Sequence, residues 1–166
     1  MPVRTGTQYL TGLREQPREV WLGGERVKDV TAHPGLASGA RAIAALYDLQ
    51  SDPKMTYASP LTGDRLGLSF IVPKTQDDLI RRRDMMLAWA RSTCGMMGRS
   101  PDFMNVHFAA WAGAADYFGE GKKEYGDNMR RYHAHIAEND LVLTHSLISR
   151  ATPSTSSHFA RFLAAP

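Results

Sequence analysis

TQDDLIRRRDMMLAWARSTCGMMGRSPDFMNVHFAAWAGAADYF, residues 75–118, is the stretch that decides the fold, because it has the pattern of two long helices joined by a glycine-containing turn. Thr75 and Asp78 have the spacing of a capping box, which predicts a helix over 76–96. A second helix is predicted over 101–118, where alanine and aromatic residues predominate. Two neighbouring helices of this length favour a mainly helical protein.

The two predicted helices differ in how their apolar residues are distributed. Along the first, Leu79, Met86 and Ala90 recur on one side, which predicts that this side packs on the core. The second carries few charges, which predicts burial on most of its sides.

An arginine stands just ahead of the second predicted helix. Ser100 is a residue type favoured at the N-cap, and Pro101 is favoured at the first helical position. Arg99 therefore lies beside unpaired N–H groups and the positive end of the helix dipole, which together favour an anion such as a carboxylate, a phosphate or an ionised phenol. The alternative is a surface arginine that pairs with a neighbouring acid.

Outside this stretch, the sequence predicts three further helices and two β-hairpins. The helices are expected over 5–15, over 36–50 and up to about Glu138, and the hairpins over 19–30 and 56–70. The predicted fold class is mainly α with short β-hairpins, and at least half of residues 1–140 should be helical.

Length and composition fit one globular domain. The 166 residues can bury a single core, and the apolar share of 43% and charged share of 22% are ordinary for such a domain. No apolar run approaches the roughly 20 residues of a membrane span, and the first residues lack the apolar core of a signal peptide. We therefore expect a cytoplasmic protein with no membrane partner. The single cysteine, Cys94, agrees with a reducing compartment.

Nucleic-acid and metal binding are not expected. The net charge of +3 is small, and no aromatic interleaving or recognised motif accompanies the arginine clusters at 81–83 and 130–131. His133 and His135 are two residues apart on a predicted helix, so they point to different sides and lack the spacing of metal ligands.

A histidine ends the apolar run of ENDLVLTHSLI, residues 138–148. Its imidazole titrates near neutral pH, so His145 is a candidate general base. A hydrogen-bonded core histidine is the alternative interpretation.

Six segments, taken together, resemble the 4-hydroxyphenylacetate 3-hydroxylase family. They are GMMGRSPDFMN at 95–105, ENDLVLTHSLI at 138–148, RTGTQYL at 4–10, GERVKDVTAHP at 24–34, SPLTGD at 59–64 and YGDNMRRY at 125–132. They cover the chain from residue 4 to about 148, in the order of the family's amino-terminal third. These enzymes are the oxygenase components of two-component, reduced-flavin-dependent phenol monooxygenases.

The resemblance implies both a fold and a reaction. Residues 1–140 would be the helical amino-terminal domain of an acyl-CoA dehydrogenase-like fold. A separate reductase would use NAD(P)H to supply reduced FAD, which reacts with O₂ so that a phenol such as 4-hydroxyphenylacetate is hydroxylated ortho to its oxygen, giving a catechol. The full-length enzyme would be a homo-oligomer.

The resemblance also implies roles for particular residues. Arg99 and His145 would hold the phenol oxygen, the first as a cation that lowers the phenol pKa and the second as the base that accepts its proton. Phe103 would line the substrate site. Flavin contacts would come from Thr144, His145, Ser146 and Leu147.

Two features depart from the family pattern. Phe103 stands where the hydroxyphenylacetate hydroxylases usually have a tyrosine, so it offers no hydroxyl to the phenol oxygen, and a more apolar pocket would suit a halogenated, nitro or larger phenol. Residues 149–166 are rich in serine and threonine and do not match, so 141–166 is interpreted as the start of a missing middle domain or as an aberrant tail.

Two other functions remain open on the sequence. A flavoprotein similar to 4-hydroxybutyryl-CoA dehydratase would need an iron–sulfur cluster; the single Cys94 argues against it, although cluster ligands could lie in the missing part. A non-catalytic truncated fragment or assembly module is the second.

Overall fold

The computed structural model describes residues 3–95 and 102–143, with the backbone alone for Asp102 and Phe103. More than half of these residues are helical, which confirms the predicted fold class. The helices are α1 (Gly6–Glu15), α2 (Ala37–Leu49), α3 (Gln76–Ser92), α4 (Asp102–Gly113), α5 (Ala115–Gly119) and α6 (Lys123–Glu138), with 3-10 turns at Pro53–Met55 and Leu68–Phe70.

The first hairpin forms where the glycine pair predicted it. Its strands, β1 (Val20–Leu22) and β2 (Glu25–Val27), pair antiparallel in the register that places Val20 opposite Val27. Gly23 and Gly24 have φ of 59° and 85°, the left-handed region that a tight two-residue hairpin turn requires.

The second hairpin is shorter than predicted. Its strands, β3 (Thr56–Ala58) and β4 (Arg65–Gly67), pair antiparallel, and the chain then turns into the Leu68–Phe70 3-10 helix instead of continuing as strand to residue 70. The connecting SPLTGD loop is fixed to the end of α6, because the Ser59 hydroxyl donates to Glu138 Oε1 at 2.5 Å and the Thr62 hydroxyl donates to Oε2 at 3.2 Å.

Capping boxes begin two of the helices. At α3 the Asp78 N–H donates to Thr75 Oγ1 at 3.1 Å, and the Thr75 N–H donates to the Asp78 carboxylate at 3.1 Å, as the sequence predicted. At α1 Thr5 and Gln8 make the same reciprocal pair. The predicted N-cap of α4, Ser100, and the first helical residue, Pro101, lie outside the described residues.

The most deeply buried side of α3 matches the predicted one only in part. Arg82, Met85 and Trp89 are buried, whereas Leu79 is 57% exposed. Met86 and Ala90 are only partly buried. Met85 and Trp89 belong to the first core cluster. Arg82 is buried beside them, and its guanidinium donates to the Ser69 carbonyl at 2.7 Å, so the buried charge has a backbone acceptor. Leu79 therefore faces outward, while Met86 packs against the edge of the first core cluster. Helix α3 ends at Ser92, before the predicted 96.

The helix predicted over 101–118 is two helices. It breaks after Gly113, where Ala114 leaves helical geometry (φ −99°, ψ 19°), and resumes as α5. Within the described part of α4 only Asn105 and Ala109 are buried, so the predicted burial on most sides is wrong for this part of the chain. The remaining apolar side chains of α4 are half-buried or exposed.

The core has two neighbouring clusters on either side of the Leu68–Phe70 turn. Met85 and Trp89 of α3 pack with Leu46, Met55, Leu68 and Ile71 in the first, and Phe70 packs with Leu66, Ile136 and Ala137 in the second. Because Leu68 and Phe70 of this turn enter different clusters, the turn connects the α2–α3 side of the domain to α6.

The first two helices meet at a glycine. The Gly6 N–H donates to Asp48 Oδ1 at 2.7 Å, and a Cβ at Gly6 would overlap the Ala44 carbonyl and lie 2.7 Å from Asp48 Oδ2. The contact between α1 and α2 therefore requires the absence of a side chain at this position.

We expect Gly6→Ala to lower the free energy of unfolding by about 1–3 kcal/mol, because the added methyl group must push α1 away from α2. Gly12→Ala on the same helix is the matched control, since nothing lies within 4 Å of a Cβ there. It should raise stability by up to about 1 kcal/mol through helix propensity alone. Urea denaturation followed by circular dichroism measures both, and equal effects at the two positions would contradict the close-contact explanation.

Candidate active site

Most of the predicted site residues lie outside the described residues. Arg99, Thr144, His145, Ser146 and Leu147 belong to this group. Phe103 lies in the first turn of α4, but its side chain is not described. The expectation that Arg99 and His145 share one pocket therefore stays a prediction.

The described flanks of the two predicted site segments line the same cavity. Asn105, from the 95–105 segment, and Leu141 and Val142, from the 138–148 segment, all contribute to its wall. The other walls come from α2, the Leu68–Phe70 turn and Trp89 of α3. The fold thus brings the two segments together at one place, although they are distant in sequence.

This cavity is small and has two unpaired polar atoms among its lining residues. Its volume is about 20 Å³, enough for one water molecule. Asn105 is 2% exposed and Trp89 is 4% exposed. The Asn105 amide N–H donates to Ser69 Oγ at 2.8 Å. The Asn105 Oδ1 and the Trp89 indole N–H have no hydrogen-bond partner among the residues that the structure describes.

Asp140 fixes the start of the segment that leads to His145. Its carboxylate Oδ2 accepts from the backbone N–H of Arg4 at 2.8 Å and from Gln50 Nε2 at 3.0 Å. Its carbonyl oxygen accepts from Arg4 Nε at 3.1 Å and from the Tyr47 hydroxyl at 2.8 Å. These bonds join the segment before α1, helix α2 and the end of α6.

The backbone at Asp140 closes α6 in a left-handed cap. Asp140 has φ 46°, and the Asp140 N–H donates to the Ala137 carbonyl while the Leu141 N–H donates to the Ile136 carbonyl. This is the Schellman arrangement, in which glycine is the usual residue. Aspartate tolerates the conformation better than most residues, and its carboxylate supplies the bonds that glycine could not.

Burial governs the protonation of this cluster. It raises the pKa of Asp140, and the hydrogen bonds from Arg4 and Gln50 act in the opposite direction with a smaller effect. Burial, followed by the neighbouring Asp140 carboxylate, also raises the pKa of the Tyr47 hydroxyl. Tyr47 therefore stays protonated and donates to the Asp140 carbonyl at neutral pH.

The two histidines of α6 do not form a metal site with each other. His133 Nε2 lies 2.8 Å from the Phe70 carbonyl oxygen, so this nitrogen carries its proton and donates. Burial lowers the pKa of His133, which favours the neutral ring. In residues 3–95 and 102–143 there is no group of three or more metal-binding side chains, and no helix there is long and apolar enough to cross a membrane.

Sequence reasoning alone missed Asn105, Trp89 and the Asp140 cluster. Arg4 and Asp140 both stand in quoted segments, but nothing in one sequence shows that they contact each other. Asn105 lies in the same segment as Arg99, and one sequence gives no sign that its amide or the Trp89 indole is buried with an unpaired atom.

Comparison with known proteins identifies relatives of the whole domain. Residues 5–155 match the family described as 4-hydroxyphenylacetate 3-hydroxylase N terminal. The oxygenase component of 4-hydroxyphenylacetate 3-monooxygenase from Thermus thermophilus is 44% identical over 158 residues, which cover 90% of this chain and 32% of that protein. The Geobacillus enzyme of the same name is 43% identical over 150 residues, covering 89% and 30%. The chain thus spans about a third of the length of these relatives.

Solved structures confirm the fold. A crystal structure of the oxygenase component of 4-hydroxyphenylacetate 3-monooxygenase, complexed with FAD and 4-hydroxyphenylacetate, matches 92% of this chain with a TM-score of 0.75 and 42% identity, and the match covers 32% of that structure. A 4-hydroxybutyryl-CoA dehydratase from N. maritimus matches 84% of this chain and 28% of its own, with a TM-score of 0.71 and 21% identity. At that identity the dehydratase shares the fold alone.

The raised pKa of Asp140 predicts a pH dependence of stability. The unfolded chain ionises this carboxyl first, near its ordinary value of about 3.9, while the folded chain still holds the proton. The contribution of the Asp140 carboxyl to the free energy of unfolding is therefore fully present below that pH. It is lost as the pH rises through the pKa that Asp140 has in the folded chain. Asp140→Asn removes the titration, so the unfolding free energy of wild type minus that of the variant should fall as the pH rises above about 4.

Urea denaturation across that range measures the difference. Gly12→Ala is the control, because it changes no ionisable group, and its difference from wild type should not vary with pH. A wild type that gains stability relative to Asp140→Asn as the pH rises would contradict the assigned direction.

Proposed function

Because the chain belongs to the 4-hydroxyphenylacetate 3-hydroxylase N-terminal family, we propose that it is the amino-terminal part of the oxygenase component of a flavin-dependent phenol monooxygenase. The observation that carries this proposal is the 44% identity to the Thermus thermophilus oxygenase component over nearly the whole chain. The reaction is ortho-hydroxylation of a phenol to a catechol with O₂ and reduced FAD. A separate NAD(P)H-dependent reductase supplies the reduced flavin.

The described residues do not by themselves fit a flavin. The cavity lined by Asn105 and Val142 holds about 20 Å³, which is the space of one water molecule and far less than a three-ring system needs. The flavin site of this proposal therefore needs parts of the protein beyond the described residues. We derive no flavin step from this chain and confine the mechanism to what its residues do to the phenol.

Arg99 and His145 have complementary tasks in this mechanism. A free phenol ionises near pH 10, and a guanidinium beside its oxygen lowers that pKa because it stabilises the phenolate. A neutral imidazole accepts the proton that the phenol loses. The phenolate is the electron-rich form that an electrophilic oxygen donor attacks ortho to the oxygen.

The described fold supports this assignment through the segments next to the two residues. Asn105 in α4 and Leu141 after α6 line one cavity, and the Arg4–Asp140 bonds fix the point from which the chain continues toward His145. Thr144, Ser146 and Leu147 would contact the flavin from the same segment.

Phe103 bears on the choice of phenol. Without a tyrosine hydroxyl, the site holds the phenol oxygen through Arg99 and His145 and offers an apolar wall at residue 103. This favours halogenated, nitro-substituted or larger phenols over 4-hydroxyphenylacetate. In this proposal the enzyme works in the cytoplasm, and its full-length form is a homo-oligomer.

The alternative is a non-catalytic fragment or assembly module. The specific observation behind it is that the chain spans about a third of its relatives. A dehydratase activity has weaker support, since that relationship is one of fold alone at 21% identity.

A chimera tests the role of Arg99. Residues 1–148 replace the equivalent segment of the Thermus thermophilus oxygenase, and catechol formation is measured with reductase, NADH and a panel of phenols. We expect turnover, and we expect Arg99→Ala to lower kcat/KM by on the order of 100- to 1000-fold, because a charged contact in a dry site is lost. Arg91→Ala, at an exposed arginine near the end of α3, is the matched control and should leave the rate unchanged. Equal rates for wild type and Arg99→Ala would rule out the role.

The 166-residue chain alone should not hydroxylate phenols. A flavin needs walls on both faces, and the cavity beside the predicted site segments has room for only one water molecule. We expect weak FAD binding, self-association through exposed apolar side chains such as Leu79, and no catechol with reduced FAD and O₂. Catechol formation at an enzymatic rate would show that the chain carries a complete site.

A further inference from the structure

Ser69 is the middle residue of the Leu68–Phe70 turn, and it accepts hydrogen bonds from two different helices. Its carbonyl oxygen accepts from Arg82 Nη1 of α3 at 2.7 Å, and its hydroxyl oxygen accepts from Asn105 Nδ2 of α4 at 2.8 Å. All three residues are buried. Both bonds are therefore costly to lose, because a buried polar group without a partner is unfavourable.

Helices α3 and α4 depend on this turn for their relative position. In the part of the chain that the structure describes, each of them packs on the Leu68–Phe70 turn, while their direct contact with each other is slight. The segment that carries Arg99 connects these two helices in the sequence. The positions of its two ends therefore follow from how each helix is held on the turn.

The turn is itself restrained on both sides. Leu68 enters the first core cluster and Phe70 enters the second, and both side chains are almost completely buried. The Phe70 carbonyl oxygen accepts from His133 Nε2 of α6 at 2.8 Å. Ser69 thus presents its two oxygens from a fixed backbone, which is the condition for one residue to orient others.

The Asn105 amide depends on Ser69 for its hydrogen bonding. Nδ2 donates to Ser69 Oγ, and Oδ1 has no partner among the residues that the structure describes. Asn105 lies near the beginning of α4, six residues after Arg99. The Ser69 hydroxyl is therefore the polar contact that holds this end of α4 in the described chain.

We propose that Ser69 is a positioning residue for Arg99. Its hydroxyl, acting through Asn105, fixes the beginning of α4 at the place from which the preceding residues carry the Arg99 guanidinium to the phenol oxygen. This inference rests on the proposed function, because the task that it gives to Arg99 is the binding of that oxygen. Its structural part, that Ser69 fixes the beginning of α4 and the segment before it, is tested without catalysis.

Nuclear magnetic resonance of the uniformly ¹⁵N-labelled 166-residue chain tests the structural part. Ser69→Ala removes the hydroxyl and leaves the backbone carbonyl that Arg82 uses, so α3 keeps its bond to the turn. We expect the Asn105 side-chain amide signals to move, together with the backbone signals at the beginning of α4 and in the segment that carries Arg99. If these signals stay in place in Ser69→Ala, the proposal is wrong.

Two controls accompany this experiment. Ser38→Ala also removes a hydroxyl oxygen that accepts a side-chain hydrogen bond, from Arg41 Nη2 at 3.2 Å, but at an exposed site of α2, so its effect should stay near residue 38. In the wild type, the Asn105 side-chain amide protons should exchange with water more slowly than those of the exposed Asn128. Equal exchange at the two asparagines would overturn the proposal without requiring any variant to fold.

Catechol formation tests the link to Arg99. In the chimera with the Thermus thermophilus oxygenase, Ser69→Ala should lower kcat/KM by on the order of tenfold, because a misplaced cation stabilises the phenolate less, and Ser38→Ala should leave the rate unchanged. The loss should be smaller for a nitrophenol, which ionises more readily and needs the cation less. In the Arg99→Ala background, Ser69→Ala should cause no further loss.

The outcomes separate this inference from the proposed function. Equal losses for all phenols, or a full additional loss in the Arg99→Ala background, would show that Ser69 does not act through Arg99. The same kcat/KM for wild type and Ser69→Ala would overturn the inference while the proposed function stands. A wild-type chimera that forms no catechol would contradict the proposed function, and the spectra of the 166-residue chain would still decide whether Ser69 fixes the segment that carries Arg99.

Discussion

The hydrogen bonds between Arg4 and Asp140 join two positions 136 residues apart, and the arrangement of the candidate site depends on them. They hold the end of α6 against α2, so that the chain leaves α6 beside α4 and not along the outer surface of the domain. Burying a carboxylate is unfavourable, and the hydrogen bonds that Oδ2 and the carbonyl oxygen of Asp140 accept offset part of that cost. Tyr47 adds to the cluster by stacking on Tyr9 at 5.0 Å between ring centroids and by lying under the Arg4 guanidinium.

Local sequence signals predicted the parts of the fold that local interactions determine. Thr75 and Asp78 cap α3 as expected, and Gly23 and Gly24 form the first turn, because each motif needs only residues within a few positions. The sequence-based predictions were incomplete where a tertiary contact determines the local structure. The buried side of α3 includes Arg82, which donates to the Ser69 carbonyl, and an apolar pattern gives no sign that an arginine is buried there. The break after Gly113 likewise depends on how α5 packs on α6 at Gly126, where a Cβ would overlap the Ala115 carbonyl.

The residues of the candidate site were predicted from family resemblance and not from local sequence signals. Family resemblance indicated Arg99 and His145 and supplied their chemistry, while the described structure supplies the neighbours that resemblance did not mention. Asn105 and Trp89 belong to this second group, since the burial of a polar atom without a hydrogen-bond partner is visible only in the folded structure. The roles given to Arg99 and His145 come from the resemblance to the family. That the segments next to them line one cavity is an observation of the fold.

The separation of Arg4 from Asp140 also has a consequence for synthesis on the ribosome. At the usual rate of elongation the amino terminus waits on the order of ten seconds before Asp140 is made, and longer before it leaves the exit tunnel. During this interval α1 and α2 can pair, because their contacts are local, but the Arg4 guanidinium and the Tyr47 hydroxyl have no buried partner at residue 140. The nascent domain therefore stays open at its amino-terminal edge until almost all of its helices have emerged, and this edge is where a chaperone could bind it.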